Sequence, residues 1–230
     1  MVVVNAKGAD HVELDEWCGR FPLRIFSAGQ RLKRSPAANL GLDSASGAYL
    51  IFLDDDDLFE PDHISNLVDT LINSKTCSVA YAGVRVEKGK GVTAGIFNEA
   101  FTAVRLMAGN FIPIHAVLFN RDLVTQGCRF DENLDCYEDW DFWLQLARHT
   151  DFAHTEKISA VYRAELGNSG MSLPLAHHLQ LQRQCRLAVW EKWRHVWTSE
   201  DFDHLVTDFR QQLTLLQEQP TLLQEKLSVA

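Results

Sequence analysis

The chain has 230 residues, 46% of them apolar and 23% charged, with a formal net charge of −9. That length suits one α/β domain with an appendage and is enough to bury a real core. The acidic balance excludes non-specific nucleic-acid binding, which needs a cationic surface, and sets the chain against anionic membrane surfaces unless a local basic patch is present.

In chain order, residues 2–4 (Val-Val-Val) are a β-branched run that reads as a buried strand, closed by Asn5, Ala6, Lys7 and Gly8. Residues 23–26 are a second short strand. Ser35 and Pro36 open a helix, Ser35 as N-cap and Pro36 in the first turn, where a missing N–H costs little. It runs through Ala38, Leu42 and Ala45 and stops at Gly47. Residues 49–53 (Tyr-Leu-Ile-Phe-Leu) are continuously apolar, which suits a central parallel strand covered on both faces. After four consecutive aspartates, Pro61 starts a helix with Ile64, Leu67, Val68, Leu71 and Ile72 on one stripe. Residues 78–86 read as a strand, 87–91 as a turn, 111–119 as a strand and 121–126 as a short helix before Gly127. Residues 138–149 form a clear helix, and 152–163 a last extended segment. This alternation predicts an α/β fold with a doubly wound, mainly parallel sheet flanked by helices. From about Pro174 strand signals fade, and two or three helices are expected, broken near Thr198-Ser199 and at Pro220. Trp190, Trp193 and Trp197 lie at helical spacing and read as core contacts.

The five cysteines (Cys18, Cys77, Cys128, Cys136 and Cys185) are odd in number and include no C-x-x-C pair. Neither a disulfide framework nor a structural zinc site is expected, and a reducing compartment fits better. No apolar run approaches the ~20 residues needed to span a bilayer, and residues 1–5 lack the pattern of a signal peptide. A cytoplasmic location is expected, with peripheral membrane association left open.

Two acidic constellations carry the chemistry. Asp54, Asp55, Asp56 and Asp57 follow directly on the apolar run, and in an open α/β sheet ligands bind at the carboxyl ends of strands. Four carboxylates there repel one another, and a divalent cation relieves that cost; hard oxygen ligands favour Mg²⁺, Mn²⁺ or Ca²⁺ over zinc. An acidic cap on the following helix is the alternative. The second constellation is Glu138, Asp139, Trp140 and Asp141, at the start of a helix that contains Phe142, Trp143 and Leu146. Carboxylates are stabilised at a helix N-terminus, and bulky aromatics beside them tune a base by desolvation. Simple helix capping is the alternative here. Weaker candidates are Arg163, ahead of the loop that contains Gly167 and Gly170, the strand residue His115, and the adjacent pair His177 and His178.

Together these segments resemble family 2 glycosyltransferases of GT-A fold. The first matching stretch runs from Ser35 through Asn39, Gly41 and Gly47 to the apolar strand, the aspartate run, and Pro61-Asp62. The second runs from Ile112 to Phe119, then Phe130-Asp131-Glu132, then Glu138-Asp139-Trp140-Asp141. The resemblance implies a nucleotide-sugar-binding domain over residues 1–172, with a helical extension over 173–230. It implies transfer of a sugar, of the hexosyl type, from a UDP-, GDP- or dTDP-linked donor to a saccharide, lipid-linked or protein hydroxyl, with inversion. Asp139 would be the base, positioned by Glu138. Asp54, Asp55, Asn39 and Arg163 would bind the nucleotide sugar, and Asp56 would ligate Mn²⁺ or Mg²⁺. Trp140 and His115 would line the acceptor side. The chain departs from the pattern at Ala38, where the family often has Arg, and at Asn5-Ala6-Lys7-Gly8, where it has Asp-Asp-Gly-Ser. The family's preceding strand and helix are unmatched, so weak nucleotide binding or self-association at a strand edge is expected. A catalytically impaired binding or assembly module is the alternative reading.

Overall fold

The computed structural model describes residues 1–8, 15–89, 91–164 and 175–228, and only the backbone of 175–178 and 215–228. The loop at Gly167 to Gly170 and the side chains of His177 and His178 lie outside the described residues. The chain opens with β1 (Val2–Asn5), then a small hairpin of β2 (Trp17–Cys18) and β3 (Phe21–Pro22), then β4 (Arg24–Ser27). β4 pairs in parallel with β1, Val2 opposite Arg24. Helix α1 (Arg34–Ser44) covers this ribbon and leads to β5 (Tyr49–Ile51). α1 faces β1 and the end of β5 at Gly41, where a Cβ would lie 3.6 Å from Val4 and 3.9 Å from Phe52, at ordinary contact distance. Next come β6 (Leu58–Phe59), α2 (His63–Ser74), β7 (Val79–Lys88), β8 (Val92–Phe97), α3 (Ala103–Ala108), a 3₁₀ turn at Ile114–Ala116 and β9 (Val117–Asn120). They are followed by α4 (Asp122–Thr125), α5 (Glu138–Ala147), β10 (Phe152–Arg163), α6 (Leu175–Trp193) and α7 (Ser199–Ser228).

Six strands form the central sheet in the order β5-β9-β7-β10-β6, with β8 also paired to β7. The helix-flanked α/β sheet agrees with the sequence reading, but its strand directions are mixed. β7 and β10 are parallel, whereas β5–β9, β7–β9, β7–β8 and β6–β10 are antiparallel. The apolar run at 49–53 was expected to be central, yet β5 pairs only with β9 among the described residues. Only its middle is covered on both faces: Leu50 and Phe52 join the main core, Phe52 meeting Phe130 edge-on at 5.3 Å, and Ile51 packs on the α2 cluster, while Tyr49 and Leu53 are exposed. Two-face burial and central position are separate properties, and composition reports only the first.

α2 presents Leu67 and Leu71 to Ala80, Ala82 and Leu118, while Ile64 and Ile72 of the expected stripe are exposed and the buried His63 takes their place. α5 is enclosed on nearly every side. Trp140, Phe142, Trp143, Leu144 and Leu146 are all buried, and the indole N–H groups donate to Leu106 O (2.6 Å) and Ile112 O (3.0 Å). Burial of an indole costs little once that N–H is satisfied. α6 docks on α5 through Val189 and Trp193, and Trp190 and Trp197 pack against the same core. The expected break before Ser199 is present, but α7 continues through Pro220, where strong helix formers such as Leu, Gln and Glu surround the proline. Among the described residues no helix is long and apolar enough to cross a membrane.

The expectation that the cysteines stay unpaired is not met. Cys136, two residues before α5, is disulfide-bonded to Cys185 on α6, 49 positions further along the chain, with the Cα atoms 5.8 Å apart. Sequence spacing holds no record of that proximity. Closing a loop of this size stabilises by about 2–4 kcal/mol through the unfolded chain. Cys185→Ser should therefore lower the thermal midpoint by several degrees, and reduction of the wild type should do the same. Equal midpoints for oxidised wild type, reduced wild type and variant would show that the bond constrains nothing.

Candidate functional site

The aspartate loop follows β5. Asp54 to Asp57 form a tight turn, with Asp57 N–H donating to Asp54 O at 3.2 Å, and the carboxylate oxygens of Asp54, Asp56 and Asp57 all lie within 4.8 Å of one another. Asp57 is the anchor: it is 5% exposed, one oxygen accepts Arg163 N–H at 2.9 Å, and the other lies 3.1 Å from His115 Nδ1. Burial pushes Asp57 up to about 6, with the neighbouring carboxylates adding to it, and pushes His115 down to about 4. At neutral pH the contact is therefore a hydrogen bond from a neutral imidazole to a carboxylate. Among the described residues His115 Nε2 has no hydrogen-bond partner. Beneath it, His63 Nε2 reaches His115 O (3.1 Å) and His63 Nδ1 reaches Ser159 Oγ (2.7 Å). The carbonyl can only accept, so the His63 proton sits on Nε2 and Ser159 donates to Nδ1. The Arg163 guanidinium donates from Nε to the Asp56 carbonyl. Asp54 is raised by burial and by the other aspartates, with Arg34 opposing.

The second acidic constellation sits at the start of α5. Tyr137 adopts a left-handed conformation at φ 59°, uncommon for a residue with a Cβ, and turns the chain into the helix directly after the disulfide-bonded Cys136. Glu138 and Asp139 follow. Asp139 is half-buried, one oxygen accepting Trp140 N–H and the other Asn110 Nδ2, both at 2.8 Å. Burial raises its pKa, while Arg34 and these donors hold it down. Glu138, 3% exposed, is pushed up to about 7 by burial and by the charge of Asp139, again opposed by Arg34. A carboxylate raised in this way is a better proton acceptor near neutrality.

Arg34 joins the two halves. Its Nε lies 2.8 Å from Glu138 Oε1 and its Nη2 lies 3.9 Å from Asp54 Oδ2, so residues 84 positions apart in sequence face one crevice.

The structure corrects several expectations drawn from the resemblance. Trp140 is fully buried with its N–H spent on Leu106, so it is a core residue and does not line an acceptor pocket. His115 is 1% exposed and supports Asp57 from below. The Asn39 amide is occupied on both sides by the Phe130 backbone, each contact at 3.0 Å, and also reaches Glu132, so it ties α1 to the 130s segment and is not free for a nucleotide. Asp54, Asp55 and Asp56 share one loop, and Arg163, at the end of β10, is bonded to that loop at Asp56 and Asp57. Asn110 and Arg34 were not legible as site residues. Arg34 had one faint signal: a cation in the first turn of a helix opposes the macrodipole, which suggests that an acid elsewhere holds it.

A model of the family described as Glycosyl transferase family 2 matches residues 9–128, just over half of the chain. The uncharacterized glycosyltransferase YwdF of Bacillus subtilis (strain 168) is 24% identical over 168 residues, covering 70% of this chain and 62% of YwdF. S. aureus TarS 1–349 in complex with UDP-GlcNAc superimposes with a TM-score of 0.55 at 16% identity, over 71% of this chain and 49% of that one. TarS 1–349 gives 0.51 at 15% identity, over 83% and 64%. At these identities the likeness to TarS is one of fold, and the chain spans less than two thirds of these relatives.

Proposed function

The chain belongs to glycosyltransferase family 2 and has the GT-A fold, and from that premise we propose that it moves a sugar from a nucleoside-diphosphate donor to an acceptor hydroxyl with inversion. One observation carries this reading: the aspartate turn and the Glu138–Asp139 pair are joined across one crevice by Arg34. Asp139 accepts the proton of the acceptor hydroxyl, whose oxygen attacks the anomeric carbon on the face opposite the leaving diphosphate. Asn110 and the Trp140 N–H hold the carboxylate in place, which is where orientation contributes to rate. Asp54 and Asp56 fit a hard divalent ion such as Mn²⁺ or Mg²⁺, because the cluster offers only carboxylate oxygens, and Asp57 already spends both of its oxygens on protein donors. When bound, such an ion supplies Lewis-acid neutralisation of the diphosphate. Arg163, tied to the loop at Asp56 and Asp57, stands beside the same group.

The test is a thermal-shift and nucleotide-release screen with UDP-, GDP- and dTDP-sugars, with and without Mn²⁺. One nucleotide class should stabilise the protein in a metal-dependent way and be slowly released as the free diphosphate. Stabilisation without any release, across acceptors, would favour a binding module. No stabilisation by any nucleotide would remove the reading.

A further inference from the structure

The proposed mechanism gives no role to Arg34, which among the described residues is the cation that touches both halves of the site. Arg34 is 52% exposed in its side chain, while its partner Glu138 is 4% exposed, so the guanidinium stands at the mouth of the crevice and the carboxylate lies beneath it. Its neighbour Lys33 is committed elsewhere, to Asp135 at 2.8 Å. The charges that act on Arg34 are those of Glu138, Asp54 and Asp139. Without it, Glu138 would be a buried carboxylate next to a second one, a costly arrangement that relaxes by protonation or by movement. Glu138 and Asp139 are consecutive at the first turn of α5, so movement of one displaces the other.

We infer that Arg34 is a positioning residue for this reaction: by pairing with Glu138 it fixes the first turn of α5 and thus the Asp139 carboxylate, and by facing Asp54 it keeps the base in register with the donor loop. The two contacts are unequal: Nε pairs closely with Glu138 at 2.8 Å, while Nη2 faces Asp54 at 3.9 Å, a charge–charge contact only. The inference rests on the proposed glycosyl transfer. It goes beyond it in assigning the register of base and donor to a residue that need touch neither substrate.

The experiment measures kcat and the donor KM by nucleotide release, together with thermal midpoints, for wild type, Arg34→Gln, Arg34→Lys, Glu138→Gln and the double variant Arg34→Gln/Glu138→Gln. The donor is the nucleotide sugar that the wild type hydrolyses or transfers. Arg34→Gln should lower kcat by roughly 10²-fold, the scale of a small misplacement of a catalytic group, with a much smaller change in KM. Arg34→Lys should recover part of that loss, since charge returns without the fork. The double variant should be no worse than the poorer single variant, because both act through one contact. A purely structural role would lower the midpoint while leaving kcat per folded enzyme near the wild-type value. Additive losses in kcat, or an Arg34→Gln enzyme with wild-type kcat, would overturn the inference and leave the glycosyltransferase reading intact. A wild type that releases no nucleotide from any donor would overturn that reading and this inference with it.

Discussion

Asp139→Asn is expected to abolish sugar transfer while fold and donor binding stay nearly intact. The amide has the shape of the carboxylate but cannot take a proton, and loss of a general base typically costs ~10²–10⁴-fold in rate. Local geometry should survive. The Asn oxygen can still accept the Trp140 N–H, and its NH₂ would face Asn110, whose side chain must then offer its oxygen instead, giving up the bond from Ile112 N–H. That rearrangement is worth about 1 kcal/mol, a small part of the expected loss. If the variant kept more than about a tenth of wild-type turnover, well above that range, the base would lie elsewhere. Asp141, the other carboxylate on this turn, is not that alternative. It is fully buried and its oxygens accept from Trp193 Nε1 (2.8 Å), Gln145 Nε2 (2.8 Å) and Lys192 (2.9 Å), so it anchors α6 to α5. The pH profile gives a second check. The pKa of Asp139 is raised, so activity should fall on acidification above the ordinary carboxylate range of about 4. Glu138, pushed up to about 7, also gains a proton on acidification, and its loss of charge should contribute to the same limb.

Asp56→Ala should remove metal-dependent nucleotide binding. Within the aspartate turn the roles divide by burial. Asp57 holds the loop down through His115 and Arg163, whereas Asp56 gives the protein only its backbone carbonyl, to Arg163. Its carboxylate is therefore the one whose loss changes ligand chemistry with least effect on the loop. Calorimetric titration with Mn²⁺ plus UDP or GDP should show clear binding by wild type and little by the variant, with unchanged thermal midpoints in the absence of ligand. Equal binding by both proteins would take Asp56 out of the metal role and leave Asp54 as the carboxylate to test. A parallel loss of fold stability would instead place Asp56 with Asp57 as a structural residue.

What the sequence determined by itself is what local chemistry determines. Helix α2 with its Leu67 and Leu71, the aromatic helix from Glu138, the extended segment 152–163 and the break before Ser199 were legible, because periodicity and capping act over a few residues. The two acidic clusters were legible for the same reason: four adjacent carboxylates after an apolar strand, and acids at a helix start, declare their chemistry within one turn of chain. The tertiary structure decided which strands pair and in which direction, since an apolar strand carries no label for its neighbours. It also decided which polar groups are consumed by the fold. Asn39, His115, Trp140 and Asp141 carry functional side chains in the sequence, and packing commits each of them to a partner 34 to 91 residues away, apart from the shorter Asp141–Gln145 contact. Packing likewise joined Cys136 to Cys185, Asn110 to Asp139, and Arg34 to both acidic clusters. These are contacts between distant residues, and their energies depend on burial and geometry that exist only once the chain has folded.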